Sequence, residues 1–257
     1  MEYDSLNINR YGPCTVFIGP NGGGKTHLLT DLARRYNCAY YALSSNHISR
    51  MDYGYLRIGI VDGDNPYVIT LESNATNLWE LLGRWQSAGD SRYAKTMNWM
   101  RLAFGPHFDI AINAEEVNYK DRVDQDWINI MHIPNGYLQL FIVLTALISN
   151  NKNLIIFDDP DTFLHPFASH IFCKAIEREV EEQKNIQVMI ATHDPTLISH
   201  FEKQCWVVDR NALDQVTVVH VTDTEGYDET TEQYALGALY MACLYGAPPM
   251  WSADNAN

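Results

Sequence analysis

The segment Gly19-Pro20-Asn21-Gly22-Gly23-Gly24-Lys25-Thr26 matches the spacing GxxxxGK[ST] in full. Glycines at these positions let a backbone wrap closely around an anion and aim successive N–H groups at phosphate oxygens. A helix opening at Lys25 would add the positive end of its dipole. Lys25 is expected on the β- and γ-phosphates and Thr26 on Mg2+, with Asn21, Gly22, Gly23 and Gly24 completing the cradle. The implied ligand is ATP with Mg2+. An apolar run before the loop, Thr15–Ile18, and a helical pattern after it, Lys25–Tyr36, supply the strand and helix that this chemistry requires.

Two further strand ends carry reactive side chains. Leu154-Ile155-Ile156-Phe157 runs into Asp158-Asp159-Pro160-Asp161. A buried strand delivers such carboxylates to the edge of a sheet where ligands of open α/β folds collect. Asp158 is expected to hold Mg2+, directly or through water, and Asp159 to orient the attacking water. Val188-Met189-Ile190-Ala191 ends in Thr192-His193, where His193 could touch either the γ-phosphate or that water.

Positioning these groups takes strands at Thr15–Ile18, Tyr40–Leu43, Tyr55–Val61, Tyr67–Leu71, Leu154–Phe157, Val188–Ala191, Trp206–Val208 and Val216–Val221. Helical patterns fall at Lys25–Tyr36, Leu78–Gln86, Arg92–Phe104, Tyr137–Ser149, Phe167–Glu182 and Glu232–Leu244. The continuous apolar runs at Leu154 and Val188 read as strands covered on both faces, and the strand–helix alternation gives an α/β class with a parallel or mixed core sheet. Between Asp90 and Trp127 a helical lobe followed by edge strands is expected. One domain is expected over residues 1–250, with a helical lobe near 78–150 and a disordered tail at 251–257.

The motif order resembles the ABC-type ATPases of the SMC, RecF and OLD-like group, closest to the AAA-like ATPases of bacterial anti-phage systems. The resemblance rests on GPNGGGKT, LIIFDDPDTFLHP and MIATHD, and covers Gly12–Thr30 and Trp127–Arg210 with specific motifs. It implies a P-loop ATPase head with an antiparallel β lobe and a helical lobe. It also implies that the turn at Pro134-Asn135-Gly136, which opens an apolar helix, is the signature segment. Asn135 and Gly136 of one copy would then face the γ-phosphate held by Lys25 of another, in a homodimer or higher oligomer. Asp159 stands where the group usually has Glu, and Pro134 where it has Ser, so slow hydrolysis is expected. No Gln follows the second strand; Arg50 is a weak substitute. About 110 residues separate Lys25 from Gly136 without sustained heptads, so no coiled-coil arm is expected.

Lys and Arg number 18 against 32 Asp and Glu, a net charge of −14 that repels a phosphate backbone and argues against tight DNA binding. No apolar run reaches the roughly 20 residues of a membrane helix, and five scattered cysteines read as free thiols of a cytoplasmic protein. Trp79, Trp85, Trp99 and Tyr93 are expected either in the core or as an anchor for a partner, and Glu177, Glu179, Glu181 and Glu182 on a solvated face. The implied job is a switch in an anti-phage complex that controls a separate effector, a nuclease or other toxin. The alternatives are a RecF-type repair ATPase and a scaffold that binds ATP without turnover.

Overall fold

A computed structural model describes residues 7–36, 38–42, 60–62, 65–68, 78–113, 116–149, 153–211, 213–224, 226–242 and 244. Arg50, Leu43, Cys243, the tail at 251–257 and most of the residues expected as strands at 55–61 and 67–71 lie outside them.

In chain order the elements are β1 (Cys14–Ile18), α1 (Lys25–Arg35), β2 (Ala39–Ala42), β3 (Ile60–Asp62), β4 (Asn65–Val68), α2 (Leu78–Ala88) and α3 (Ser91–Phe104). Then come β5 (Asp109–Ile112), β6 (Val117–Lys120), β7 (Ile128–Asn129), α4 (Asn135–Ser149), β8 (Leu154–Asp158), α5 (Pro166–Glu182) and β9 (Gln187–Ala191). The chain continues through α6 (Pro195–His200), β10 (Cys205–Arg210), β11 (Val216–His220), α7 (Tyr227–Thr231) and α8 (Leu236–Met241).

Six strands form the central sheet in the order β11-β10-β1-β9-β8-β2, parallel except for the β10–β11 hairpin. Side chains alternate across it with period two. Val16, Ile18, Ile155, Phe157, Val188 and Ile190 enter the core beneath α2–α6 and α8, whereas Phe17, Leu154, Ile156, Met189 and Val208 pack with Leu28, Leu29 and Leu32 of α1. Burial on both faces explains why β8 and β9 read as unbroken apolar runs.

The helical lobe contains α2, α3 and α4 and a separate antiparallel sheet, β5-β6-β7. The strands expected at the edge of the main sheet therefore form a small sheet of their own. Trp85 is 2% exposed, and Trp79, Trp99 and Tyr93 pack against the same core. Trp79 meets Phe141 edge-on at 5.7 Å, and the Arg92 guanidinium lies 4.7 Å from the Trp85 ring centre. These rings pack within the lobe and against α4 and α3, the core reading of the two expected for them.

Two other expectations are corrected. Glu179 is 1% exposed and pairs with Lys95 of α3, so the acidic end of α5 is a tie to the helical lobe at that position. The helix expected at Glu232–Leu244 is shorter, α8 at Leu236–Met241, and α7 ends before that range at Thr231. The chain breaks at Ala235, whose extended backbone turns Leu236 and Tyr240 inward. Cys38, Cys173 and Cys205 are buried free thiols and Cys14 is a partly covered one; burial pushes the Cys14 thiol up to about 12. Among the described residues no helix is long and apolar enough to cross a membrane.

Candidate functional site

Strand register brings the three reactive strand ends together. Phe17 of β1 and Asp158 of β8 both align with Ala191 of β9, so the three strands terminate side by side. Past that line, Thr192 N–H donates to the Phe17 carbonyl at 3.2 Å and Asp159 N–H to the Ala191 carbonyl at 2.9 Å. The phosphate-loop motif, the acidic pair and His193 thus emerge at one sheet edge, with the β9 strand inserted between the other two.

The loop from Gly19 to Gly24 wraps into α1. Gly24 has φ 104°, where side chains are strained, and a Cβ there would stand 2.6 Å from a Val216 methyl, so any other residue must also push that side chain aside. Lys25 is 7% exposed, and its Nζ donates to the Gly19 carbonyl at 2.9 Å and the Pro20 carbonyl at 3.1 Å. Burial lowers its proton affinity, while Asp159 and Asp158 act in the opposite direction.

A cleft of about 450 Å³ opens over this loop, lined by Asn21, Gly22, Gly24, Lys25, Thr26, Asp159 and His193, with His27, Thr30, Arg34 and Arg210 beside them. That volume lies within the range of small-molecule sites. Of the residues singled out in the sequence, Gly23 lies within the same loop, and Asp158 sits buried behind the cleft, 6% exposed. Asn135 and Gly136 do not line the cleft; they open α4, a separate element, with Gly136 pressed against the Phe163 carbonyl.

Asp159 adopts φ 51°, a left-handed conformation that Asp tolerates better than most residues. Asp161, two residues on, accepts a 2.6 Å hydrogen bond from the Thr192 hydroxyl. Burial pushes its carboxyl up to about 7, with Asp194 and Asp159 adding to the effect and the Thr192 bond opposing it. His193 loses proton affinity chiefly through burial and then through Lys25. Its Nδ1 lies 2.6 Å from the Tyr240 hydroxyl.

Several of these residues carry no sequence signal. Arg210 ends β10 and donates from Nε to the Gly22 carbonyl at 3.0 Å, while its Nη1 holds Asp214 at 2.9 Å. Gln139 is buried in α4 and donates to the Pro160 carbonyl at 2.7 Å, tying α4 to the acidic turn. Tyr240 arrives from α8, at the far end of the chain. Only His27, Thr30 and Arg34, at i, i+3 and i+7 of α1, form a face readable by helical spacing.

Over 92% of the chain the fold superposes on a chain from the complex of archaeal ribosomal stalk protein aP1 and archaeal ribosome recycling factor aABCE1. The TM-score is 0.51 at 12% identity, over 43% of that chain. This is the fold of an ABC-type P-loop ATPase head. The SMC head domain from Thermotoga maritima is also similar, with TM-score 0.49 at 12% identity over 82% of this chain and 91% of that one. In sequence, residues 105–199 match the family described as "AAA domain, putative AbiEii toxin, Type IV TA system". Protein ea59 of Escherichia phage lambda is 22% identical, covering 76% of this chain and 48% of its own. The chain thus spans about half the length of that curated relative.

Proposed function

We propose that this chain is a single ATPase domain that binds ATP with Mg2+ in the cleft above Lys25 and hydrolyses it slowly. The observation that carries this reading is the shared strand register of Phe17, Ala191 and Asp158, which gathers a phosphate loop, two carboxylates and a histidine at one edge. Asn21, Gly22, Gly23 and Gly24 cradle the phosphates and Lys25 pairs with the β- and γ-phosphates. Thr26 and Asp158 offer the hydroxyl and carboxylate oxygens that suit Mg2+, a hard cation that takes few protein ligands beside phosphate and water. Asp159 and His193 face the same cleft and act on the attacking water.

Asn135 and Gly136 belong to a second copy's site in this reading, because they open α4 without lining their own cleft. The working unit is a homodimer or higher oligomer around ATP, cytoplasmic, whose nucleotide state controls a separate effector protein in anti-phage defence. The net charge of −14 favours such a switch over a repair ATPase that grips DNA itself.

Lys25→Ala is the test. It removes a buried cation while leaving the glycine loop in place, so isothermal calorimetry of the folded variant is expected to show no ATP binding at micromolar nucleotide. Unchanged affinity would remove the phosphate-loop assignment and the function with it.

A further inference from the structure

Tyr240 is 3% exposed, and its hydroxyl makes two hydrogen bonds. One runs to the Gly19 carbonyl at 3.0 Å and the other joins His193 Nδ1 at 2.6 Å. A carbonyl oxygen only accepts, so a hydrogen bond at the Gly19 contact takes the single phenolic proton. The Tyr240 oxygen is then left as an acceptor, and the proton in the second bond has to sit on His193 Nδ1. Burial holds the Tyr240 hydroxyl protonated, pushing it up to about 12, so ionisation offers no escape from this arrangement.

We propose that Tyr240 is the positioning residue of the site: it fixes His193 in the Nδ1–H tautomer and so presents an unprotonated Nε2 at the nucleotide cleft. This rests on the reading of His193 as a residue of ATP turnover. A neutral imidazole in this tautomer has no proton to donate from Nε2 to a γ-phosphate oxygen. It accepts a hydrogen bond instead, and the attacking water is the donor the reaction supplies. Of the two roles open to His193 in the sequence, Tyr240 selects contact with the water.

The supporting structure is built for rigidity. Asp194, next to His193, caps α6 by accepting from the Thr196 N–H at 2.7 Å. Helix α8 lies directly on α6: the Gly237 N–H donates to the Ser199 hydroxyl at 3.1 Å, and a Cβ at Gly237 would run into the Pro195 carbonyl. The residue that presents Tyr240 and the residue that follows His193 are thus locked to one helix pair. Lys25 Nζ shares the Gly19 carbonyl with Tyr240. When Lys25 turns to phosphate, that carbonyl keeps the phenol as its partner, and the tautomer survives nucleotide binding.

Nitrogen-15 NMR of histidine-labelled protein at pH 8 reads the tautomer directly, with His193 assigned by the signal lost in His193→Gln. The parent is expected to show a protonated Nδ1 and an unprotonated Nε2, and Tyr240→Phe a shift toward the Nε2–H form. Steady-state kinetics of Tyr240→Phe should show kcat about 10-fold lower with KM for ATP within about twofold, since orientation and not binding is lost. The double variant Tyr240→Phe/His193→Ala should be no slower than His193→Ala, because both changes strike one unit. An Nε2–H tautomer in the parent, an unaltered ratio in Tyr240→Phe, or multiplying losses in the double variant would each overturn the proposal. A parent that binds no ATP would instead sink the ATPase reading, and the NMR result would still decide the role of Tyr240.

Discussion

At the scale of single residues, Asp159 and Asp161 sit two positions apart in the chain and differ in every physical respect. Asp159 lines the cleft in a left-handed conformation, anchored by its N–H on the Ala191 carbonyl. Its carboxylate ends one methylene short of the Glu found in similar ATPases, a reach of about 1.5 Å. Asp159→Glu is therefore expected to raise the ATPase rate while lowering stability by roughly 1 kcal/mol, because Glu tolerates positive φ less well than Asp. Asp159→Ala is expected to lose on the order of 100-fold in kcat, measured by phosphate release. Asp161 faces Thr192 and holds its proton up to about 7, against 3.8 for an exposed carboxyl. As pH rises from 4 to 7 the unfolded chain releases this proton first, so the native state loses stability across that window and levels off above it. Asp161→Asn keeps the acceptor for Thr192 without the charge. Thermal unfolding without nucleotide should show it equal to the parent near pH 3, already more stable at pH 5 and most so at pH 8, by on the order of 4 kcal/mol.

At the scale of elements, α3, α4 and α5 decide how the helical lobe is held. Lys95 of α3 reaches Glu179 and, at 2.7 Å, Glu182 of α5. Glu179 is 1% exposed and also accepts from Gln183 at 2.8 Å. Removing the lysine leaves a buried carboxylate with a neutral partner only. Lys95→Ala is expected to cost roughly 2 kcal/mol in urea unfolding, less than a fully buried pair because Lys95 keeps some contact with water. The replacement Lys95→Met/Glu179→Leu should recover most of that loss, since apolar packing substitutes for a buried ion pair without desolvating charge. Gln139 makes the other tie, from α4 to the turn that carries Asp159. It links the start of α4 directly to the acidic strand end.

At the scale of the whole molecule, Phe163, whose carbonyl stands against Gly136, is 49% open to water. Phe163 has φ 71°, an unfavourable conformation for a bulky residue. Phe163→Asn relieves that strain and removes an apolar group at the surface where two copies would meet around ATP. The hydrolysis-blocked Asp159→Ala protein is expected to double its mass in sedimentation when ATP is added. With Phe163→Asn introduced as well, it should stay monomeric while still binding ATP by calorimetry. A mass unchanged by ATP in the first protein would remove the sandwich dimer.

Local order alone determined the strands and helices that carry the motifs. The apolar runs at β1, β8 and β9, the glycine loop before Lys25 and the carboxylates after Phe157 are properties of contiguous residues, and the folded chain has them where their patterns put them. Their convergence was already implied by the rule that ligands collect at the ends of parallel strands. What contiguous residues do not encode is which strand lies beside which. The insertion of β9 between β1 and β8, which puts His193 between the phosphate loop and Asp159, follows from the path of the whole chain. The same is true of Glu179, whose spacing reads as a solvated face until α3 brings Lys95 against it. The tryptophans of the helical lobe read as either core or partner anchor until Phe141 of α4 meets Trp79 and Arg92 of α3 lies over Trp85. Tyr240 is the extreme case: 47 residues beyond His193, in a segment that reads as one continuous helix, it reaches the site only because the chain breaks at Ala235 and Gly237 lets α8 press on α6. Periodicity reports the face a residue shows to its own element, and only packing between elements decides what meets that face.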